Sequence, residues 1–251
     1  MSYLWDLSHI QPETQVVMPG DTIPAIFWNA VGKRGPDIWL RQKEFGIWRS
    51  WTWAQVGQAV REIGHGLIAI GFGERETASI LSNTNVEWVL CDLAVLSANG
   101  VANGIYPTDA AEQVQYLSED SGTTVLFVED DEQLDKALEV RERLPRLKKI
   151  VVFDMDGLRD FHDPMVISLD ALRELGRQHL AQHPKALEQR VAAVKPDDLA
   201  ILVYTSGTTG KPKGAMHSHG GLTYTVRGYN VLIARDENDE CMCFLPLCHI
   251  A

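Results

Sequence analysis

The run Tyr204-Thr205-Ser206-Gly207-Thr208-Thr209-Gly210-Lys211-Pro212-Lys213-Gly214 concentrates more chemistry than any other part of this chain. Three glycines let a backbone turn tightly and approach a ligand without interference from a Cβ. Four hydroxyls (Thr205, Ser206, Thr208, Thr209) and two ammonium groups (Lys211, Lys213) are interleaved with them. Together with the backbone N–H groups they make a donor-rich, cationic concavity suited to a polyphosphate. The apolar run Leu199-Ala200-Ile201-Leu202-Val203 just before it reads as a buried strand that leads into the loop.

The spacing is not that of the commonest phosphate loop, G-x-x-x-x-G-K-[ST]. Five residues after Gly207 stands Pro212, five after Gly210 stands Ala215, and Lys211 is followed by Pro212 instead of a hydroxyl. A kinase-like loop of that type is therefore disfavoured. A second group, His217, His219, Cys241, Cys243, Cys248 and His249, invites a metal reading. Its His-x-His and Cys-x-Cys spacings match no common zinc site, and cysteines in a Phe- and Leu-rich segment read as small buried hydrophobes.

The elements that position the loop follow from periodicity. Ile38-Trp39-Leu40 and Ile47-Trp48 flank a turn near Gly46 and predict a hairpin whose tryptophans pack against the next helix. Thr52 and Gln55 have capping-box spacing ahead of a helix running through Val56, Ala59, Val60, Ile63, Leu67 and Ile68 to a stop at Gly71. Ala78 to Leu81 reads as a strand, Trp88 to Ala98 as a buried helix, and Val101 to Tyr106 as a strand. Thr108 or Asp109 then caps a helix to about Leu117. Thr123 to Val128 is a strand, Glu132 to Leu144 a helix, Lys149 to Phe153 a strand and Asp154 to Asp163 a loop. Helical pattern returns from Leu169 to Ala193 with a break near Pro184. Strands alternating with helices predict an α/β fold with two mostly parallel sheets flanked by helices. Pro196-Asp197-Asp198 marks the expected boundary between a first lobe, 1–195, and the start of a second, 196–251.

Composition bounds the rest. Of 251 residues 45% are hydrophobic, enough for a sizeable core. A net charge of −11 argues against a nucleic-acid partner, so Lys211 and Lys213 form a local basic island. Four cysteines do not suggest a secreted disulfide framework, no stretch reads as a signal peptide, and no apolar run reaches the ~18 residues of a membrane span. A cytoplasmic location is the expectation. The apolar run from Met242 to Ala251 stops abruptly, which leads us to expect the amino-terminal portion of a longer protein.

Over its full length the 204–214 motif resembles the signature loop of the adenylate-forming enzymes: acyl-CoA synthetases, luciferases and peptide-synthetase adenylation domains. Phe244-Leu245-Pro246-Leu247-Cys248-His249 resembles a second motif of the same enzymes, which would place His249 beside the acyl-adenylate pocket. The stretches Asn83 to Val89 and Leu96 to Thr108 look like scaffolding of the family's first lobe, and Asn85-Val86-Glu87-Trp88-Val89 with Tyr106-Pro107-Thr108 most resemble its long-chain fatty acyl-CoA synthetase branch.

The resemblance implies two steps, in which a carboxylate attacks the α-phosphate of ATP to give acyl-AMP and coenzyme A then takes the acyl group. Residues 205–210 with Lys211 or Lys213 would hold the β- and γ-phosphates. Magnesium would accompany ATP, with Thr208, or Thr209 beside it, as a contact. Fatty acid, ATP and coenzyme A are thus the implied small-molecule partners, with at most peripheral membrane contact. The family's remaining elements, including a distal lysine, would lie beyond Ala251. A synthetase for another carboxylic acid, and a non-catalytic nucleotide-binding module, stay open as alternatives.

Overall fold

A computed structural model describes residues 20–205, 210–232 and 239–249. Helix α1 (Ile23–Arg34) starts at Thr22, whose hydroxyl accepts from the Ala25 N–H, and buries Pro24 and Phe27. The hairpin β1 (Ile38–Glu44) and β2 (Ile47–Thr52) is antiparallel and closes through Phe45 and Gly46, both at positive φ, as a two-residue turn of matching twist requires. Helix α2 (Trp53–Ala69) begins with the complete capping box expected at Thr52 and Gln55, and Gly71 turns the chain out at φ +84°. Trp53 stacks on Trp39 at 3.9 Å, and Trp51 packs on the core. Packing was the expectation for the whole aromatic run, but Trp48 stands 62% exposed near the hairpin tip.

The alternation then runs β3 (Thr77–Leu81), α3 (Val86–Ser97), β4 (Val101–Ile105), α4 (Ala111–Asp120), β5 (Thr123–Val128), α5 (Asp131–Val140), β6 (Lys149–Val152), β7 (Val166–Ser168), α6 (Leu169–Gln182), α7 (Ala186–Ala193), β8 (Leu199–Thr205), β9 (Lys213–Ser218) and α8 (His219–Leu232). Seven strands form one sheet in the order β7-β6-β5-β3-β4-β8-β9, parallel except for the antiparallel edge strand β9. The expectation of two mostly parallel sheets is thereby corrected: among the described residues there is one such sheet, and the other is the β1–β2 hairpin. Strand β8 pairs directly with β4, which draws its pattern into the same sheet.

Helices cover both faces. Residues of α1, α2, α3, α6 and α7 build one core with Phe72, Ala78, Ile80 and Phe127. Residues of α4 and α5 build the other with Leu81, Ile105, Leu126 and Ile150. Helices α2 and α6 touch backbone to backbone: a Cβ on Gly176 would sit 1.7 Å from the Glu62 carbonyl oxygen. Buried Glu62 is held there by Arg173 and Arg177.

Of the boundaries that differ from expectation, two have a visible cause. Helix α4 starts at Ala111 without a side-chain cap, because Tyr106 to Asp109 first form a turn closed by the Asp109 N–H on the Tyr106 carbonyl, 3.0 Å. Helix α5 gives way to a 3-10 turn at Arg141–Arg143 ahead of Pro145, ending short of Leu144. Helices α1 and α8 and strands β7 and β9 had no sequence reading. Three glycines and several β-branched residues dilute the helical signal of α8. Residues 239–249 contain no strand. No helix among the described residues is long and apolar enough to cross a membrane.

Candidate functional site

Parallel α/β sheets place ligands at the carboxyl ends of their strands. Ala102 pairs with Ile201 and Asn103 with Leu202, so Thr205 at the end of β8 lies at the carboxyl end of β4. Thr205 pairs across to Lys213, Tyr204 to Gly214 and Val203 to Ala215. The described residues of the phosphate-type motif, 204–205 and 210–214, are therefore at the end of the β8–β9 hairpin. Of its predicted site residues, Ser206, Gly207, Thr208 and Thr209 lie outside the described residues, including the proposed magnesium contact Thr208. Thr205, Gly210, Lys211 and Lys213 are exposed around the tip. Gly210 adopts φ +114°, and no heavy atom of the described residues lies within 4 Å of where a Cβ would be, so its glycine serves the backbone turn.

Helix α4 anchors the legs of the hairpin. The Tyr116 hydroxyl donates to the Pro212 carbonyl at 2.9 Å, and the Lys211 ammonium lies 4.6 Å from the centre of the Tyr116 ring. The Tyr204 hydroxyl donates to Asp120 Oδ2 at 2.6 Å. Burial first, and the Asp120 carboxylate second, push the Tyr204 phenol well above its ordinary range, so it stays a donor. Its ring lies across Gly214, where a Cβ would come within 3.2 Å of Tyr204 Cζ.

His249 arrives by a different route. The Thr84 hydroxyl, in the β3–α3 turn, donates to the Leu245 carbonyl and accepts from the Leu247 N–H, both at 3.2 Å. Arg41 forms an ion pair with Glu240 upstream. Cys248 is buried against Gly104 of β4, where a Cβ would sit 2.5 Å from Cys248 Cα. Burial pushes the Cys248 thiol up to about 11. The His249 N–H closes a turn on the Pro246 carbonyl at 3.0 Å, and its side chain is exposed. Residues 242–247 and His249 line an open cavity of about 240 Å³. Segment 245–249 thus sits on β4, the strand next to β8, so both motifs meet at one end of the sheet.

The other histidines and cysteines have separate places. His219 is buried at the start of α8, where its Nδ1 accepts from the Ile23 N–H, and burial lowers its pKa to about 4. His217 is on β9, and Cys241 and Cys243 are exposed. Among the described residues no group of three or more His, Cys, Asp or Glu is arranged to hold a metal ion. Tyr116 and Asp120 escaped the sequence reading, and Thr84 and Gly104 fall in stretches that were expected only to serve as scaffolding. Tyr116 and Asp120 are four apart and share a helix face, but nothing in the sequence says what that face meets.

The AMP-binding enzyme family matches residues 27–251. A long-chain-fatty-acid–CoA ligase of Xenopus laevis is 32% identical over 238 residues, 93% of this chain and 32% of that protein. A long-chain-fatty-acid–CoA ligase of Mycobacterium bovis is 32% identical over 219 residues, 86% of this chain and 34% of that protein. The chain thus spans about a third of the length of these relatives. Among solved structures, an anthranilate CoA ligase in complex with anthranoyl-AMP superimposes with a TM-score of 0.70 at 23% identity, over 86% of this chain and 38% of that one. A putative long-chain-fatty-acid CoA ligase from Rhodopseudomonas palustris also gives 0.70, at 17% identity, over 91% of this chain and 52% of that one. At these identities the structural likeness concerns the fold.

Proposed function

Because the chain belongs to the AMP-binding enzyme family, we propose that it carries the phosphate-gripping part of an AMP-forming ligase that activates long-chain fatty acids as acyl-CoA. The carrying observation is the β8–β9 hairpin tip with exposed Lys211 and Lys213 beside the docked segment 245–249. The long-chain substrate class is supported by the 32%-identical ligases. The division into lobes 1–195 and 196–251 is part of the same proposal.

A fatty-acid carboxylate attacks the α-phosphorus of ATP, forming the acyl–phosphate bond and expelling pyrophosphate. The thiolate of coenzyme A then attacks the acyl carbon and AMP leaves. The hairpin's share is positioning and charge compensation, which dominate such transfers. Thr205 and the 206–210 backbone donate to β- and γ-phosphate oxygens, while Lys211 and Lys213 compensate the charge on departing pyrophosphate. The exposure of Thr205 and the positive φ of Gly210 fit a loop that wraps a polyphosphate. Magnesium would accompany ATP and offset phosphate charge, with Thr208 as its proposed contact. His249, on the neighbouring docked segment, borders the acyl-adenylate.

The test is fatty-acid-dependent exchange of labelled pyrophosphate into ATP by the whole protein, with palmitate and acetate as alternative acids. Lys211→Ala with Lys213→Ala removes two charge-assisted contacts and should slow exchange by on the order of 10²-fold or more. An unchanged rate would sink the phosphate assignment, and activity with acetate but not palmitate would sink the long-chain class. ATP binding without any exchange would point to a non-catalytic nucleotide-binding module.

A further inference from the structure

We infer that Tyr116 and Asp120, one turn apart on α4, are positioning residues that hold the two legs of the hairpin and set where Lys211 waits for the nucleotide. The inference rests on the phosphate-gripping role of the hairpin proposed above. Helix α4 is a firm base for this task, since Ala111, Val114 and Leu117 are buried in the core beneath it.

The ties reach both sides of the loop. On the outgoing strand, Tyr204 is fastened to Asp120 at 2.6 Å. On the returning side, Tyr116 fastens the Pro212 carbonyl at 2.9 Å. Proline has no N–H to donate, so the carbonyl is the one main-chain hydrogen-bonding group that Pro212 offers, next to the point where the ladder with β8 begins at Lys213. Gly214 completes the arrangement, because any Cβ there would press on the Tyr204 ring from 3.2 Å.

Lys211 occupies the same tyrosine by its ring face, at 4.6 Å. An exposed cation–π contact is weak compared with a charge-assisted bond to phosphate oxygens. A polyphosphate entering the tip therefore draws the ammonium off the ring, while the Tyr116–Pro212 bond keeps the backbone in place. Tyr116 thus offers its ring to Lys211 and its hydroxyl to Pro212. The Tyr116 hydroxyl and its ring are separable by substitution.

The test compares Tyr116→Phe, Tyr116→Leu, Asp120→Ala and Asp120→Asn in the whole enzyme, with Lys211→Ala/Lys213→Ala as the reference. Tyr116→Phe keeps the ring and loses the anchor. It should raise KM for ATP by roughly 3- to 10-fold, the range of one hydrogen bond, with KM for the fatty acid unchanged. Tyr116→Leu should exceed that, Asp120→Ala should match it, and Asp120→Asn should recover most of the loss because the amide oxygen still accepts from Tyr204. A second readout does not depend on activity. Tryptic cleavage after Lys213 should accelerate several-fold in Tyr116→Phe and Asp120→Ala, and pyrophosphate should slow it again. If both variants keep the parent KM for ATP and the parent cleavage rate while the double lysine variant is impaired, the positioning inference is wrong and the phosphate role stands. If the double lysine variant is itself unimpaired, the phosphate role fails and the inference falls with it.

Discussion

Gly104→Ala should lift segment 245–249 from the sheet without unfolding the protein. A Cβ at this position would lie 2.5 Å from Cys248 Cα and 2.6 Å from its Cβ, about 0.9 Å inside ordinary contact. Overlap of that kind in a packed site costs about 1–3 kcal/mol. One side must give. Strand β4 is paired to β3 on one side and β8 on the other, so moving it disturbs two ladders. The segment is held by two Thr84 hydrogen bonds and the buried Cys248 side chain, together worth about 3 kcal/mol. The two magnitudes are comparable, and the segment is the side that yields.

Thiol labelling reads the outcome directly. In the parent, Cys241 and Cys243 are exposed while Cys91 and Cys248 are buried, so two thiols should react quickly and a third should join them in the variant. Undocking also returns the Cys248 thiol from about 11 toward its ordinary range, raising its reactivity at pH 8 further. If the docked population falls to a tenth, KM for the acid rises about tenfold, with KM for ATP little changed. The melting temperature should drop by no more than several degrees, at about 2–4 °C per kcal/mol for a chain of this size. A folded variant with Cys248 still protected and KM for the acid unaltered would refute the reasoning.

Two further outcomes concern stability. Gly176→Ala places a Cβ 1.7 Å from the Glu62 carbonyl oxygen; α2 and α6 must separate, so a loss of about 3 kcal/mol or more is expected in urea unfolding, and a loss below 1 kcal/mol would contradict the backbone contact. Asp92→Asn should stabilise the protein at pH 8.5 and hardly at all at pH 4.5. Burial raises the Asp92 carboxyl to about 7, and its Oδ1 is buried with no hydrogen-bond partner among the described residues. A carboxyl whose folded value lies above its unfolded one favours the fold when protonated, and that contribution is lost as pH rises through about 7. The gain at high pH should be on the order of 2–4 kcal/mol. Buried His65 and His219, both held down to about 4, act in the opposite sense below pH 6.5, and comparison of variant with parent at each pH cancels them. A pH-independent difference would show that Asp92 does not titrate as described.

Local chemistry made much of the fold legible. The Thr52–Gln55 box, the turn before β2, the stop at Gly71 and the strand at Thr123–Val128 stand where residue type and periodicity put them, because each depends on neighbours within a few positions. The break near Pro184 likewise appears between α6 and α7. Elements with weak local signals escaped. Strand β7 has three residues, β9 is a half-exposed edge with a glycine, and α8 carries three glycines; each is stabilised by what it lies against more than by its own pattern. The expectation of a second parallel sheet failed for a related reason: alternation announces parallel strands but does not count the sheets into which they assemble.

By itself the sequence determined the kind of chemistry, since a loop of glycines, hydroxyls and lysines after an apolar strand is a local property of consecutive residues. It also determined that Gly104 and Gly214 are small, though not why. Only the tertiary structure decided those reasons, by laying Cys248 on one and Tyr204 over the other. Only it joined Thr84 to Leu247 across 163 positions and Tyr116 to Pro212 across 96. Sequence periodicity marks which face of an element is apolar, but which partner that face meets depends on strand order and crossover direction. Those are set by the burial of the whole sheet between its two helical layers, to which no single segment holds the key.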